Sequence, residues 1–443
     1  MNNIKRNAIF FLGYILFLMG LTACSTNSTQ SSIDSTPENS RRVILIGIDG
    51  LPYGKMKSWI REGSLPSFQK LFARGGSAII KLNIPVLEAS TWGSFSTAHN
   101  LSKHGIADWY FLGHDRKLHP VSSSYYKTKT IFEILSAKDR KVAIDGWPLT
   151  YPASPSFGYG ITSGPIEVTS PVDVIRSVPL ANPADPACFL DDKMKDQLAP
   201  LVMTIDKISL QNISKIVPEG AELNPIESRD LRRALAADLT SINAAKILMD
   251  TNPDLIAIGL PGIDLICHRF FKYLQPAEFG LNESAAQKMQ KIIPNYLLML
   301  DEFLSILFQQ MDPRDTMVVV TDHNQIASPK LFEKRHEISS LHTPQGMILM
   351  YGQNIQPGFS KQTIKPEQVG ALILHLFGDP LGKDMNTMVP LDLIAEPYRS
   401  KVPVGMVITL EDAPRPEPKP PVEELIDTQA KIESFLGLFE SYR

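Results

Sequence analysis

Three continuous apolar runs, each closed by side chains that bind metal ions, constrain this chain more than any other feature. Val43-Ile44-Leu45-Ile46-Gly47-Ile48 ends at Asp49. Leu255-Ile256-Ala257-Ile258-Gly259-Leu260 is followed by Asp264 and His268. Met317-Val318-Val319-Val320-Thr321 ends at Asp322 and His323. Runs this rich in β-branched residues, with no polar alternation, read as strands buried on both faces. Segments with helical spacing lie between them, so the chain is expected to be α/β with a mostly parallel sheet. Ligand sites in such sheets gather just beyond the carboxyl ends of the strands. Asp49, Asp264, Asp322, His268, His323 and a later histidine, His342, are therefore expected at one sheet edge. Three carboxylates and three imidazoles are what two divalent cations need if each takes three protein ligands.

The remaining pattern fills in a single large domain over residues 41–410. A helix is expected near residues 54–63, and a second opens at Ser64-Leu65-Pro66-Ser67 with Ser64 or Ser67 as its cap. Residues 141–145 and 347–351 read as strands, and residues 369–377 as a short helix. Residues 229–250 carry Leu231, Leu235, Leu239, Ile242 and Ala245 at helical spacing. Residues 282–310 read as one long helix kinked at Pro294. Residues 165–227 are proline-rich and without period. They are expected to form an insertion over the sheet edge, a substrate cap of short strands and turns.

The termini carry different information. Lys5 and Arg6 precede an apolar stretch from residue 8 to 21. Leu21-Thr22-Ala23-Cys24 then resembles the bacterial lipoprotein box. The resemblance implies a signal peptide over residues 1–23 and acylation of Cys24. It implies export and a lipid anchor in the bacterial cell envelope. Ser25, with no Asp at that position, implies outer-membrane sorting in a Gram-negative cell. An ordinary cleaved signal or an uncleaved anchor helix are the alternatives. Residues 24–40 are Ser/Thr/Asn-rich and read as a flexible tether. Residues 411–422 form a proline-rich spacer before an amphipathic segment with Leu425, Ile432, Leu436 and Leu438. That segment is expected to dock back as a terminal helix, with a partner-binding helix as the alternative. Cys188 and Cys267 are expected to be free thiols. The net charge of −3 and the lack of a basic stripe argue against nucleic-acid binding.

The order of the motifs resembles the type I phosphodiesterase/nucleotide pyrophosphatase branch of the alkaline phosphatase superfamily. The carriers are Ile46-Gly47-Ile48-Asp49-Gly50, the segment from Pro85 to Ala98 with Lys103-His104-Gly105-Ile106, and Trp147-Pro148-Leu149-Thr150-Tyr151-Pro152. Asp264 to His268, Thr321-Asp322-His323, His342 with its Pro-x-Gly, and Lys383-Asp384-Met385 follow in order. The resemblance implies an alkaline-phosphatase-like fold and two metal ions above the sheet. One ion would be held by Asp264, His268 and His342, the other by Asp49, Asp322 and His323. Mixed imidazole and carboxylate ligands suit zinc best and manganese next. The implied substrate is a phosphodiester or another phosphorylated small molecule, with a pyrophosphate or phosphonate bond as variants. Two ions about 4 Å apart clamp both oxygens of an in-line displacement.

One position departs from the pattern. Family members carry Thr or Ser ten residues before the glycine that closes the nucleophile segment. Here Ala98 stands at that glycine, and ten residues before it is Glu88. Two divalent ions bring +4 and three aspartates −3. Glu88 supplies the −1 that an alkoxide would have supplied, so the site tolerates it. Three roles are open. Glu88 bridges the metals in a silent binding protein, or it holds and deprotonates an attacking water, or a backbone shift brings Ser90 or Thr91 forward as nucleophile. Thr91 also stands where some family members place a phosphate-contacting Asn. A third reading of the whole chain is an envelope lipoprotein with structural metals. His104 and Trp92 are expected behind the site, while Lys272 and Tyr273 face either substrate or solvent.

Overall fold

A computed structural model of the protein describes residues 40–112, 118–165, 178–334 and 338–411. The segments expected to be a signal peptide with Cys24, a tether and a proline-rich tail with its terminal helix lie outside them, as do residues 166–177 of the insertion. The strands, in chain order, are β1 (Val43–Ile48), β2 (Gly76–Lys81), β3 (Tyr110–Leu112), β4 (Leu118–Pro120), β5 (Val142–Asp145) and β6 (Tyr159–Ile161). They continue with β7 (Leu255–Leu260), β8 (Thr316–Thr321), β9 (Asn324–Ala327), β10 (Ser340–Thr343), β11 (Gln345–Tyr351), β12 (Gly358–Phe359), β13 (Leu381–Gly382) and β14 (Met406–Val407). Eight strands form one sheet in the order β12-β2-β11-β8-β1-β7-β5-β6. Every neighbouring pair is parallel except those made by β11. The expected mostly parallel α/β architecture is therefore present.

The three apolar runs are its centre. All residues of β1, β7 and β8 are buried. Their register is level: Gly47 lies opposite both Gly259 and Val320. Alternate residues of β1 enter two different cores, as a two-residue period requires. Ile44, Ile46 and Ile48 pack in one, Val43 and Leu45 in the other. The helices that matter here are α1 (Tyr53–Arg61), α2 (Pro66–Arg74), α3 (Glu88–Thr97), α4 (Pro225–Asp250), α5 (Gly262–Leu274), α6 (Ile292–Gln310) and α7 (Glu367–Leu376). Residues of α4, α5 and α6 fill the first core, and those of α3 and α7 the second.

Three expectations change. Neither Ser64 nor Ser67 caps α2, whose N-cap is Leu65 with Pro66 in the first turn. The Asp301 carboxylate on α6 does so instead, accepting from the Ser67 and Phe68 amides at 3.1 and 2.8 Å. Residues 282–310 form two helices, Glu283–Met289 and Ile292–Gln310, rather than one kinked at Pro294. The break falls before Pro294 because proline is tolerated in a helix's first turn, where its missing N–H has no partner to lose. In the insertion, residues 178–224 hold 3-10 turns and the helices Asp192–Leu198 and Leu210–Ile216, with one bridge from Phe189 to Ile161 in place of short strands. Its apolar residues Cys188, Phe189, Met194, Leu198, Val202, Ile208 and Ile216 enter the same core as α4. Burial of that set makes it part of the domain's body. Cys188 and Cys267 are both buried free thiols, as expected.

Candidate metal centre

Each proposed donor leaves its element at the same edge of the sheet. Asp49 directly follows β1, and Asp322 and His323 follow β8. Asp264 and His268 sit one turn apart on α5, and that i,i+4 spacing places both on one face. Their Oδ2 and Nε2 atoms are 3.5 Å apart. His342 arrives on β10, which pairs with β9 in a ribbon. Glu88 is the first residue of α3. Gly50 lets the chain leave β1 in the left-handed region at φ 60°. A Cβ there would lie 2.4 Å from Asp264 Oδ1, so only glycine admits that carboxylate so close to the backbone.

His323 is the hub. Its Nε2 lies 3.5 Å from Asp49, 3.6 Å from Asp322, 3.7 Å from Glu88 and 3.8 Å from Asp264. Its ring stacks on that of His342 at 3.7 Å. His342 Nε2 is 2.7 Å from His268 Nε2 and 3.4 Å from Asp264 Oδ1, while its Nδ1 is 2.5 Å from Glu88 Oε1. Three sets bring one ligand atom from each member within 4.8 Å of the others: Asp264, His268 and His342; Asp49, Asp264 and His323; and Glu88, His323 and His342. The first is the triplet expected for one ion. Around the second position, Asp264 and Glu88 join Asp49, Asp322 and His323.

These residues fit divalent ions. Asp49 Oδ1, Asp322 Oδ2 and both ring nitrogens of His323 are buried and make no hydrogen bond. Buried polar atoms without partners are costly, and a cation among Asp49 Oδ1, Asp322 Oδ2 and His323 Nε2 satisfies those three at once. The protonation pattern says the same. Burial, then Asp322, Asp264 and Glu88, hold the Asp49 carboxyl well above the carboxylate range. Burial and then Glu88 push Asp322 up to about 8. Burial drives His323 down to about 3, leaving it neutral as a metal ligand must be. Burial opposes the charge on His342, but the Glu88 and Asp264 carboxylates overcome it and raise its pKa. Burial likewise opposes ionisation of Glu88, which the His342 imidazolium outweighs, bringing Glu88 to about 2. Without cations, protons neutralise the cluster.

Without metal, the protein's stability depends on pH. Asp322 and His342 have folded values above their unfolded ones, so the stability they contribute is lost as pH rises through the folded values. His323 works in the opposite sense, but its contribution changes only below its unfolded value near 6.5. Between pH 6.5 and about 8 the metal-free protein is therefore expected to lose melting temperature, and divalent metal to abolish that slope. Thermal melts with and without chelator check this; a rise over that window contradicts it.

The supports around the donors are equally specific. The Ser340 hydroxyl lies 3.2 Å from His268 Nδ1, turning Nε2 toward the centre. Arg269 and Asp230 form a buried pair at 2.5 Å, and Lys272 and Glu227 another at 2.9 Å, tying α5 to α4. Removing one partner of such a pair costs about 3–5 kcal/mol. Lys272 and Tyr273 thus face Glu227 between helices, not substrate or solvent. His104 sits behind α3, with its Nε2 3.1 Å from the Ser94 hydroxyl and its Nδ1 accepting from the Ile106 amide. Trp92 is fully buried. Of the nucleophile segment, Glu88 reaches the donors. The Thr91 hydroxyl donates to the Leu87 carbonyl, and Ser90, two residues along the helix from Glu88, is buried.

Two residues here were not singled out from sequence. Trp109 Nε1 donates to Glu88 Oε2 at 3.2 Å, so both oxygens of that carboxylate are engaged. Gln325 Nε2 donates to Asp264 Oδ1. Trp109 gave no signal, being 21 residues from its partner. Gln325 stands two residues past His323, a spacing that becomes telling only once β9 is paired.

The chain belongs to the type I phosphodiesterase / nucleotide pyrophosphatase family, whose model matches residues 43–373. No curated protein matches it. Among solved structures, it is similar to phosphonoacetate hydrolase from Sinorhizobium meliloti 1021 in complex with phosphonoformate, at 14% identity and a TM-score of 0.42. That match covers 66% of this chain and 58% of the hydrolase, so the chain spans little more than half of that relative's length. It is also similar to wild-type alkaline phosphatase PafA, at 10% identity and a TM-score of 0.49, over 81% of this chain and 99% of that one. A third is murine ectonucleotide pyrophosphatase / phosphodiesterase 5, at 9% identity and a TM-score of 0.43, over 80% and 100%.

Proposed function

We propose that this protein is an exported, lipid-anchored hydrolase of phosphodiester or pyrophosphate bonds that works with two divalent ions. The family supplies the reaction class. The observation that carries the reading is the convergence of Asp49, Asp264, His268, Asp322, His323 and His342 on one spot, with Asp49 Oδ1, Asp322 Oδ2 and His323 Nε2 buried there without partners. Asp264, His268 and His342 would hold one ion, and Asp49, Asp322 and His323 the other. When bound, the ions polarise the phosphoryl group and balance charge on the attacking and leaving oxygens. Zinc is the metal this donor set suits best.

Glu88 takes the reactive position. Its carboxylate is ionised and oriented by Trp109 and His342, and a lone pair left free by those contacts would hold a water and accept its proton as that water attacks phosphorus. His323, neutral and buried, keeps its lone pair for a cation. Asp322 Oδ1 accepts from the Gly50 amide at 3.3 Å, which aims its other oxygen at the centre. A phosphonate substrate is the variant of the same chemistry.

A second reading has one observation in its favour. Glu88 is held on both sides, which also describes a carboxylate that bridges ions and never reacts. The protein would then bind a phosphorylated ligand without cutting it. Stripping with chelator and reloading with zinc or manganese separates the readings. Hydrolysis of a chromogenic phosphodiester that disappears and returns supports the enzyme. A metal-loaded protein that binds the diester and leaves it intact supports the silent site. The anchor is tested apart: Cys24→Ser is expected to move the protein from the membrane fraction to the soluble one, and an unchanged distribution counts against acylation.

A further inference from the structure

Gln325 sits inside the cluster although none of the motifs includes it. On the antiparallel ribbon, Gln325 of β9 lies directly opposite His342 of β10. Residues paired in this way project on the same face of a ribbon. Both side chains reach the same atom: His342 Nε2 is 3.4 Å from Asp264 Oδ1, and Gln325 Nε2 donates to that oxygen. Gln325 is 1% exposed, and its amide oxygen is buried with no hydrogen-bond partner. An amide oxygen left so is unfavourable in a native fold and calls for a partner.

Charge explains why the residue is an amide. Two divalent ions carry +4, and Asp49, Glu88, Asp264 and Asp322 together carry −4 when ionised. A fifth carboxylate would leave the centre negative. A neutral oxygen completes the shell without that cost, and amide carbonyls are ordinary ligands of hard divalent ions.

We propose that Gln325 is a further member of the metal centre: its amide nitrogen orients Asp264, and its amide oxygen is a neutral donor toward the ion held by Asp264, His268 and His342. This inference rests on the two-ion reading above. It makes the ribbon β9–β10 one metal-binding unit that delivers His342 and Gln325 together. It also moves the donor set of that ion toward oxygen, so manganese gains on zinc there relative to a site of one carboxylate and two imidazoles.

The test reads metal binding, not turnover. Wild type, Gln325→Leu and Gln325→Glu are stripped, melted without metal, then titrated with zinc and with manganese against a competing chelator dye. Gln325→Leu removes a buried unpaired oxygen together with the hydrogen bond to Asp264, two opposing changes, so its metal-free melting temperature is expected to stay close to that of wild type. Its affinity for the ion held by Asp264, His268 and His342 is expected to fall about 10–100-fold, as losses around a ligand shell do. Gln325→Glu keeps an oxygen in place but loses the N–H to Asp264, and is expected to bind that ion more tightly than Gln325→Leu at pH 8. Equal affinity of Gln325→Leu and wild type overturns this inference alone. So does a loss of affinity that follows a loss of metal-free stability, which is what a packing role would give. A wild type that takes up no divalent ion overturns the two-ion reading and this inference together.

Discussion

His323→Ala is expected to bring phosphodiester hydrolysis down to the level of the chelator-stripped protein, a loss of at least about 10³-fold. The imidazole is fully buried and lies within 3.8 Å of four carboxylates. Burial keeps it neutral, so it offers a lone pair where a cation must balance those charges. Without it, Asp49 and Asp322 lose the donor that completes their ion. A charge-stabilising term of several kcal/mol is lost with the ion, and each ~1.4 kcal/mol is tenfold in rate. The variant is also expected to retain one ion per chain, because Asp264, His268 and His342 remain. Elemental analysis beside the rate assay separates this outcome from unfolding. Full activity with one ion per chain would remove the second ion from the mechanism.

Most of the centre was legible because its donors are tied to strong local patterns. Asp49, Asp322 and His323 end runs that cannot be anything but buried strands, and the level register of β1, β7 and β8 then brings them together. Asp264 and His268 are legible from helical spacing. What lay hidden depends on pairing between distant segments. Trp109, just before β3, reaches Glu88 across 21 residues, and Gln325 faces inward because of its partner strand. A four-residue strand carries too short a period to reveal which face is buried. The insertion was illegible for a related reason. Its helices have seven residues each, under two turns or barely two, and its 3-10 turns have no amphipathic repeat. The cap of α2 was misread because its partner, Asp301, comes from more than two hundred residues away.

Glu88→Gln is expected to lower hydrolysis by about 10²–10⁴-fold while leaving metal at Asp264, His268 and His342. The amide keeps the size of the side chain and its place between His342 and Trp109. It cannot accept a proton from water. It also removes one negative charge beside His342, so His342 titrates lower and competes less with metal for its own lone pair. A change in pH profile should therefore accompany the loss: the arm set by His342 shifts toward acid. Ser90→Ala, by contrast, is expected to leave the rate within about threefold, because Ser90 lies in the helix away from the donors.

A carboxylate at position 88 is expected to serve a working hydrolase. The most direct measurement is the rate of phosphodiester cleavage by zinc-loaded wild type beside zinc-loaded Glu88→Thr, with metal content determined on the same samples. Wild type is expected to be active with two ions per chain, and Glu88→Thr to be no faster. An inert wild type with two ions, and a Glu88→Thr variant that gains cleavage, would contradict that expectation and make this site a binder of phosphate esters.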